Sequence, residues 1–274
     1  MKEHFEGWYF KHQGNGKTLA LIPGKVSDGA FIQVVTIDKA YNITYPLSEY
    51  HQGDHLTIGD NTFSESGVIL NIDRPEIKLI GEIKYSHLTP IRSDIMGPFK
   101  FFPMECRHGI VSMQHDLKGT IQLNDETYDF DEGKGYIESD SGRSFPEGYT
   151  WIHCNDFKED CAITAAIAKI PFYGLKFWGC ICVVMLNGKE YRLATYKGVK
   201  IITCEPGMIE LKQGKYRLLI KVDSEGGHLL PAPRYGKMNH AILEDISCGA
   251  SFKFIKGEQV LFDSYSHQAR YEYH

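Results

Sequence analysis

Three stretches of the sequence concentrate side chains able to move protons or to stabilise positive charge. In GKGYIESDSGRSFPEGYTWIH, Glu138 and Asp140 are two apart and so share one face of a strand, and Arg143, Phe145, Tyr149, Trp151 and His153 follow closely. PMECRHGIVSMQHDLKGT places Glu105, His108, Ser112, His115 and Asp116 within twelve residues. HFEGWYFK puts Trp8 and Phe10 on one strand face, Tyr9 and Lys11 on the other, with Glu6 among them. Carboxyl groups set against aromatic rings suit general-acid chemistry on an apolar substrate, because burial disfavours the charged form and the acid keeps a proton to deliver. An imidazole can act as a base near neutrality. Rings can attract a developing cation by about 0.5–2 kcal/mol each.

Each stretch also has a plainer structural meaning. Trp8 and Phe10 suit a strand core, since aromatic side chains dominate β interiors. Glu138 and Asp140 could close a strand end, Glu105 and His108 could form a surface turn, and Arg143 could serve an ion pair. No metal signature, nucleophile elbow, phosphate loop or dinucleotide fingerprint occurs; GNGKT at residues 14–18 lacks the context of a phosphate loop and reads as a hairpin turn. Cys180 and Cys182 would share a strand face, but no second pair at ligand spacing follows, so they read as small buried hydrophobes.

The elements that must position these groups are short strands closed by turn signals. AFIQVVTID, VILNID before Arg74-Pro75, IKLIGEIKYSHL before Pro90, GTIQL before Asn124-Asp125, and WGCICVVML before Asn187-Gly188 are examples. Segments of this length, rich in Ile, Val, Tyr and Phe and recurring about every ten residues, predict antiparallel meanders. DCAITAAIAKI comes nearest to a helix, and its neighbours favour a strand. FEGWYFK and PEGYTWIHCN echo one another, each an aromatic strand with a Trp soon after a Gly. The expectation is an all-β protein of two lipocalin-like barrel or sandwich halves, residues 1–142 and 143–274. One continuous sandwich is the rival arrangement.

Composition narrows the classes of function. At 274 residues with 42% hydrophobic and 24% charged residues, the chain is an ordinary globular protein. Its net charge is −5 and its basic residues are scattered singly, which excludes a nucleic-acid footprint. The seven cysteines make an odd set and no apolar signal region opens the chain, so reduced thiols and a cytoplasmic location are expected. GCICVVML is far shorter than the ~20 residues of a membrane span. Peripheral membrane contact and a homodimer are both compatible with such a chain.

Taken in order, HFEGWYFK, MECRHGIVSM, GKGYIESDSGRSFP, YTWIHCNDF and GASFKFIKGEQVLFDSYSHQARYEY resemble the tocopherol cyclase family and its bacterial relatives, from Phe5 nearly to the C-terminus. Where the family pattern carries Trp after the acidic residue of GYIE, this chain has Ser141. The resemblance implies paired lipocalin-like barrels and a cofactor-free closure of a chromanol ring, in which a quinol hydroxyl adds to a double bond of its prenyl tail. No redox change occurs, so no nicotinamide or flavin is needed. On that resemblance Glu138 or Asp140 is expected to protonate the alkene, with Glu105 the next candidate. His108, His115 or His153 would receive the phenol proton. Trp8, Tyr9, Phe145 and Trp151 would line the prenyl-lipid site beside His153. Two alternatives use the same framework: a non-catalytic binder of an apolar isoprenoid or lipid, and hydration of an isoprenoid double bond.

Overall fold

The computed structural model describes residues 3–172, 174–224 and 226–274. The first sheet comprises β1 (Phe5–Gly14), β2 (Lys17–Val26), β3 (Gly29–Thr36), β4 (Ala40–Tyr45), β5 (Tyr50–Gln52), β6 (Leu56–Ile58), β7 (Asn61–Ser64), β8 (Gly67–Arg74), β9 (Ile77–Ser86), β10 (Cys106–Leu123), β11 (Glu126–Asp129) and β12 (Lys134–Gly142). The second comprises β13 (Tyr149–Cys154), β14 (Cys161–Phe172), β15 (Leu175–Leu186), β16 (Lys189–Ala194), β17 (Lys200–Glu205), β18 (Met208–Gln213), β19 (Tyr216–Asp223), β20 (His228–Arg234), β21 (Lys237–Lys256) and β22 (Gln259–Tyr273). The only helical elements among the described residues are three short 3-10 turns, so no helix is long and apolar enough to cross a membrane.

Local chemistry explains the strands. In β8, Val68, Leu70 and Ile72 are buried while Ile69, Asn71 and Asp73 are exposed, the period of two that a half-buried strand requires. Asn15-Gly16 and Asn187-Gly188 both adopt left-handed backbone, with φ of 49° and 73° in one pair and 50° and 69° in the other. Two left-handed residues match the twist of tight hairpins, and Asn-Gly is the pair that tolerates them best. GNGKT is therefore the β1–β2 turn, as its sequence predicts. DCAITAAIAKI lies largely within β14, a strand paired with β13 and β15.

The two sheets repeat one topology. Their strand orders are β4-β3-β2-β1-β12-β10-β9-β8-β7-β6-β5 and β16-β15-β14-β13-β22-β21-β19-β18-β17, with β11 and β20 attached to β10 and β21. In each, the opening aromatic strand is clamped between the second strand and the last. This is the structural content of the FEGWYFK and PEGYTWIHCN echo, and the all-β expectation of two antiparallel halves holds. Each sheet surrounds a core of its own: Ile32 and Ile43 near one edge of the first sheet share a cluster with Leu56 and Ile58 near the other. Ile152, Leu193, Ile209 and Phe252 do the same for the second.

The compact units are not two uninterrupted stretches. Unit 1 comprises Met1–Ile91, His108–Ser144 and Pro231–His240, and unit 2 comprises Arg92–Arg107, Phe145–Leu230 and Ala241–His274. The clamped strands are buried on both faces: all of residues 9–13 in β1, and every residue of β13. An aromatic strand needs no alternation when both faces are dry, which is why HFEGWYFK carries rings on successive residues. Cys180 and Cys182 sit fully buried in the unit 2 core, and burial pushes both thiols well above the ordinary range.

Candidate functional site

The pairing of β1 with β12 decides which residues can act together. Tyr9 lies directly opposite Glu138, Gly7 opposite Asp140, and Lys11 opposite Tyr136. Directly opposed residues in an antiparallel pair project to the same side. The intervening pair, Phe10 and Ile137, belongs to the unit 1 core, so the acids occupy the face turned away from it. β10 lies beside β12 and brings His108 to that face. The close approach of the two strands is marked by Gly109, where a side-chain carbon would stand 2.9 Å from Ser139 Oγ.

His108 stands between two carboxylates. Its Nδ1 is 3.0 Å from Asp140 Oδ1, and its Nε2 is 3.5 Å from Glu138 Oε2. The Tyr136 hydroxyl donates to Glu138 Oε2 at 2.5 Å. Burial is graded along the chain: the Glu138 side chain is 7% exposed, His108 13% and Asp140 21%. Lys11, opposite Tyr136, is also buried on this face. Around Gly7 a side-chain carbon would meet nothing within 4 Å, so open space adjoins Asp140. Such a row can pass a proton from the most exposed acid through an imidazole to the most buried one. One ligand atom from each of His108, Glu138 and Asp140 falls within 4.8 Å of the others, a spacing that would also admit a metal ion.

A second polar cluster lies on the opposite face of the same strands. His12 Nε2 is 2.5 Å from the Tyr85 hydroxyl, and its Nδ1 is 3.3 Å from the Leu19 carbonyl. The His115 ring lies 4.5 Å from that of Tyr85, its Nδ1 is 3.2 Å from Ser112 Oγ, and its Nε2 has no hydrogen-bond partner. Burial, reinforced by repulsion from His115, lowers the His12 pKa to about 3, and burial lowers that of His115 to about 4. Both imidazoles are neutral at pH 7. Their tight housing rests on Gly135, where a side-chain carbon would fall 2.2 Å from His115 Nε2.

The predicted residues are thereby sorted by face and by unit. Glu138, Asp140, His108 and Tyr9 share one face, whereas Trp8 and His115 lie on the other, Trp8 packed against the unit 1 core. Ser141 is opposite Glu6, two residues before Trp8, so the position that carries Trp in the family pattern is on the face away from the acids. Glu6 is held there by Lys25 at 3.1 Å and His4 at 3.2 Å. Glu105 is half-buried in a bend before β10 and belongs to unit 2. Phe145, Tyr149, Trp151 and His153 also belong to unit 2. There Trp151 stacks on His153 with ring centres 6.2 Å apart and lies beneath the buried Arg270 guanidinium at 4.8 Å. Arg270 bridges Glu244 at 2.8 Å and Glu272 at 2.6 Å, and burial lowers its pKa to about 9. Tyr136, His12 and Tyr85 were not singled out from the sequence. The alternation that assigns Trp8 and Phe10 to one face also carries His12 there, which is the signal that could have found it.

Known structures place this architecture among solved folds. A protein assigned as AttH from Nitrosomonas europaea superimposes with a TM-score of 0.59 at 12% identity, covering 98% of this chain and 92% of that one. Kievitone hydratase from Nectria haematococca gives 0.55 at 11%, covering 98% and 88%. CghA, solved alone and with Sch210972, gives 0.63 at 9% for the uncomplexed form, covering 99% and 88%. At these identities the likeness establishes the fold. None of the curated proteins matches this chain. The family model described as tocopherol cyclase-like matches residues 83–247, which include His108, Tyr136, Glu138 and Asp140 and span more than half of the sequence. The chain belongs to the tocopherol cyclase-like family.

Proposed function

We propose that the protein catalyses acid-promoted addition of a phenol hydroxyl to an alkene within one prenylated quinol, with Glu138 as the proton donor. The observation that carries this reading is the Tyr136, Glu138, His108, Asp140 row, together with membership of the tocopherol cyclase-like family. Neutral Glu138 gives its proton to the less substituted alkene carbon, forming a C–H bond and leaving tertiary cation character on the other. The Tyr9 ring, across the strand pair from Glu138, faces that charge. The phenol oxygen closes the C–O bond and loses its proton to His108, and His108 returns a proton to the Glu138 carboxylate. Asp140 holds the imidazole through Nδ1 and stabilises its cationic form, a positioning role. Substrate and product are isomers, so the proton cycle closes without an oxidant or reductant.

The open space beside Gly7 suits an apolar group of the substrate next to the acids. Gly7→Val, which a strand tolerates, is expected to raise KM for a geranylgeranyl quinol about tenfold while leaving kcat within a few-fold. Steady-state kinetics would check this; an unchanged KM would place the substrate elsewhere. Water in place of the phenol would convert the same protonation into hydration, and the two are separated by product mass. A carrier role predicts tight binding with the quinol recovered unchanged.

A further inference from the structure

Unit 2 carries an apolar surface that its core does not use. Phe101 is 80% exposed, Leu175 76% and Trp178 53%, and none of the three belongs to the unit 2 core cluster. Leu175 and Phe177 share one face of β15, where Phe177 packs against Phe99, in the 3-10 turn that holds Phe101, with ring centres 6.2 Å apart; Trp178 projects from the other face, so large apolar groups flank the end of the hairpin on both sides. Singly exposed apolar residues are ordinary, but clustered large ones at the end of a hairpin mark an interaction surface.

The charges around this hairpin end indicate its partner. Lys169 lies directly opposite Trp178 and Lys176 opposite Pro171, so both lysines share the Trp178 face of the hairpin. Lys100 sits over the Phe101 ring at 5.1 Å. Glu147, 2.6 Å from Lys176, is the acid paired with this group. Three lysines against one glutamate make this surface basic in a chain whose net charge is −5. A Leu and a Trp on opposite faces of one hairpin end, with lysines that can lay their stems along apolar surface and turn their ammonium groups to headgroups, make the composition of a membrane-interface anchor. We infer that this end of the β14–β15 hairpin, with Leu175 on one face and Trp178, Lys169 and Lys176 on the other, beside the turn that carries Lys100 and Phe101, docks tip-first on a bilayer containing anionic lipids. The basic rim adds attraction to headgroups, and the rings enter the boundary between headgroups and acyl chains. The inference is independent of the catalytic reading, since it uses no residue of that site.

The test is co-sedimentation of the full chain with phosphatidylcholine vesicles, with and without phosphatidylglycerol, read without any quinol present. Partitioning is expected to depend on phosphatidylglycerol and to weaken with salt. Leu175→Ser with Trp178→Ser should lower it at least tenfold, and Lys169→Gln with Lys176→Gln about thirtyfold on the anionic vesicles. Trp178 fluorescence should shift to the blue on binding and be quenched by brominated acyl chains. All four side chains are at the surface or half-buried, so unchanged thermal midpoints check that the variants fold. Absence of wild-type partitioning, or partitioning untouched by these substitutions, overturns the inference. So does self-association abolished by the apolar pair without vesicle binding, which would assign the surface to a second copy of the chain.

Discussion

Glu138→Gln is expected to lower kcat for quinol cyclisation by about 10³-fold while leaving ligand affinity within a few-fold. The amide preserves the size of the side chain, and its carbonyl can still accept the Tyr136 hydrogen bond seen at Glu138 Oε2. What it lacks is a proton acidic enough to reach an alkene carbon. Positioned acid catalysis contributes about 10²–10⁴ in rate, and a donor to carbon, which has no solvent substitute in a site this buried, belongs within that range. A loss confined to KM would mean that Glu138 binds rather than protonates. Measuring kcat and the quinol Kd separately on the same preparations distinguishes these outcomes.

The second large effect is on stability. His12 and His115 have pKa values lowered to about 3 and about 4 in the folded protein, against about 6.5 in an unfolded chain. Above pH 6.5 neither state binds these protons and the pair leaves stability unchanged. As pH falls below 6.5 the unfolded chain takes up two protons that the folded chain refuses, so stability is lost on acidification. At pH 4.5, two units below the unfolded value, each histidine accounts for about 2.7 kcal/mol, roughly 5 kcal/mol together. Denaturant titrations between pH 7 and 4.5 should show this decline, and His12→Gln with His115→Gln should flatten its slope by close to two protons. Parallel slopes in the two proteins would contradict the assignment of this buried pair as neutral. The Gln variant also separates this cluster from Glu138 and Asp140, because it leaves the opposite face of the strands intact.

Much of this was legible in residue order because strands have a rigid period. Alternation alone placed Glu138 with Asp140 and Trp8 with Phe10, and Asn-Gly pairs located the hairpins. What alternation cannot supply is register between strands distant in sequence. Tyr9 faces Glu138, and Trp8 does not, because β1 pairs with β12 at that offset and no other. His108 reaches Asp140 across thirty-two positions because β10 is long enough to pair β11 at Thr120–Leu123 and still lie beside β12 nearer its start. Tyr136 escaped notice because a tyrosine in a strand reads as core until its hydroxyl is seen to meet a carboxylate. The His12, Tyr85, His115 cluster draws on β1, β9 and β10, three strands whose adjacency only the fold reveals. The unit 2 surface was equally hidden, since exposure of Leu175 and Trp178 depends on the hairpin projecting beyond its core.

The most direct measurement of the central claim is the product formed by the wild-type protein from a geranylgeranyl quinol in deuterium oxide, analysed by chromatography and mass spectrometry beside Glu138→Gln. Proton delivery from Glu138 predicts a chromanol carrying one non-exchangeable deuterium on the tail carbon next to the new C–O bond, formed at a rate that collapses in the variant. Quinol bound and recovered unchanged by the wild-type protein, or chromanol formed equally fast by Glu138→Gln, would contradict it.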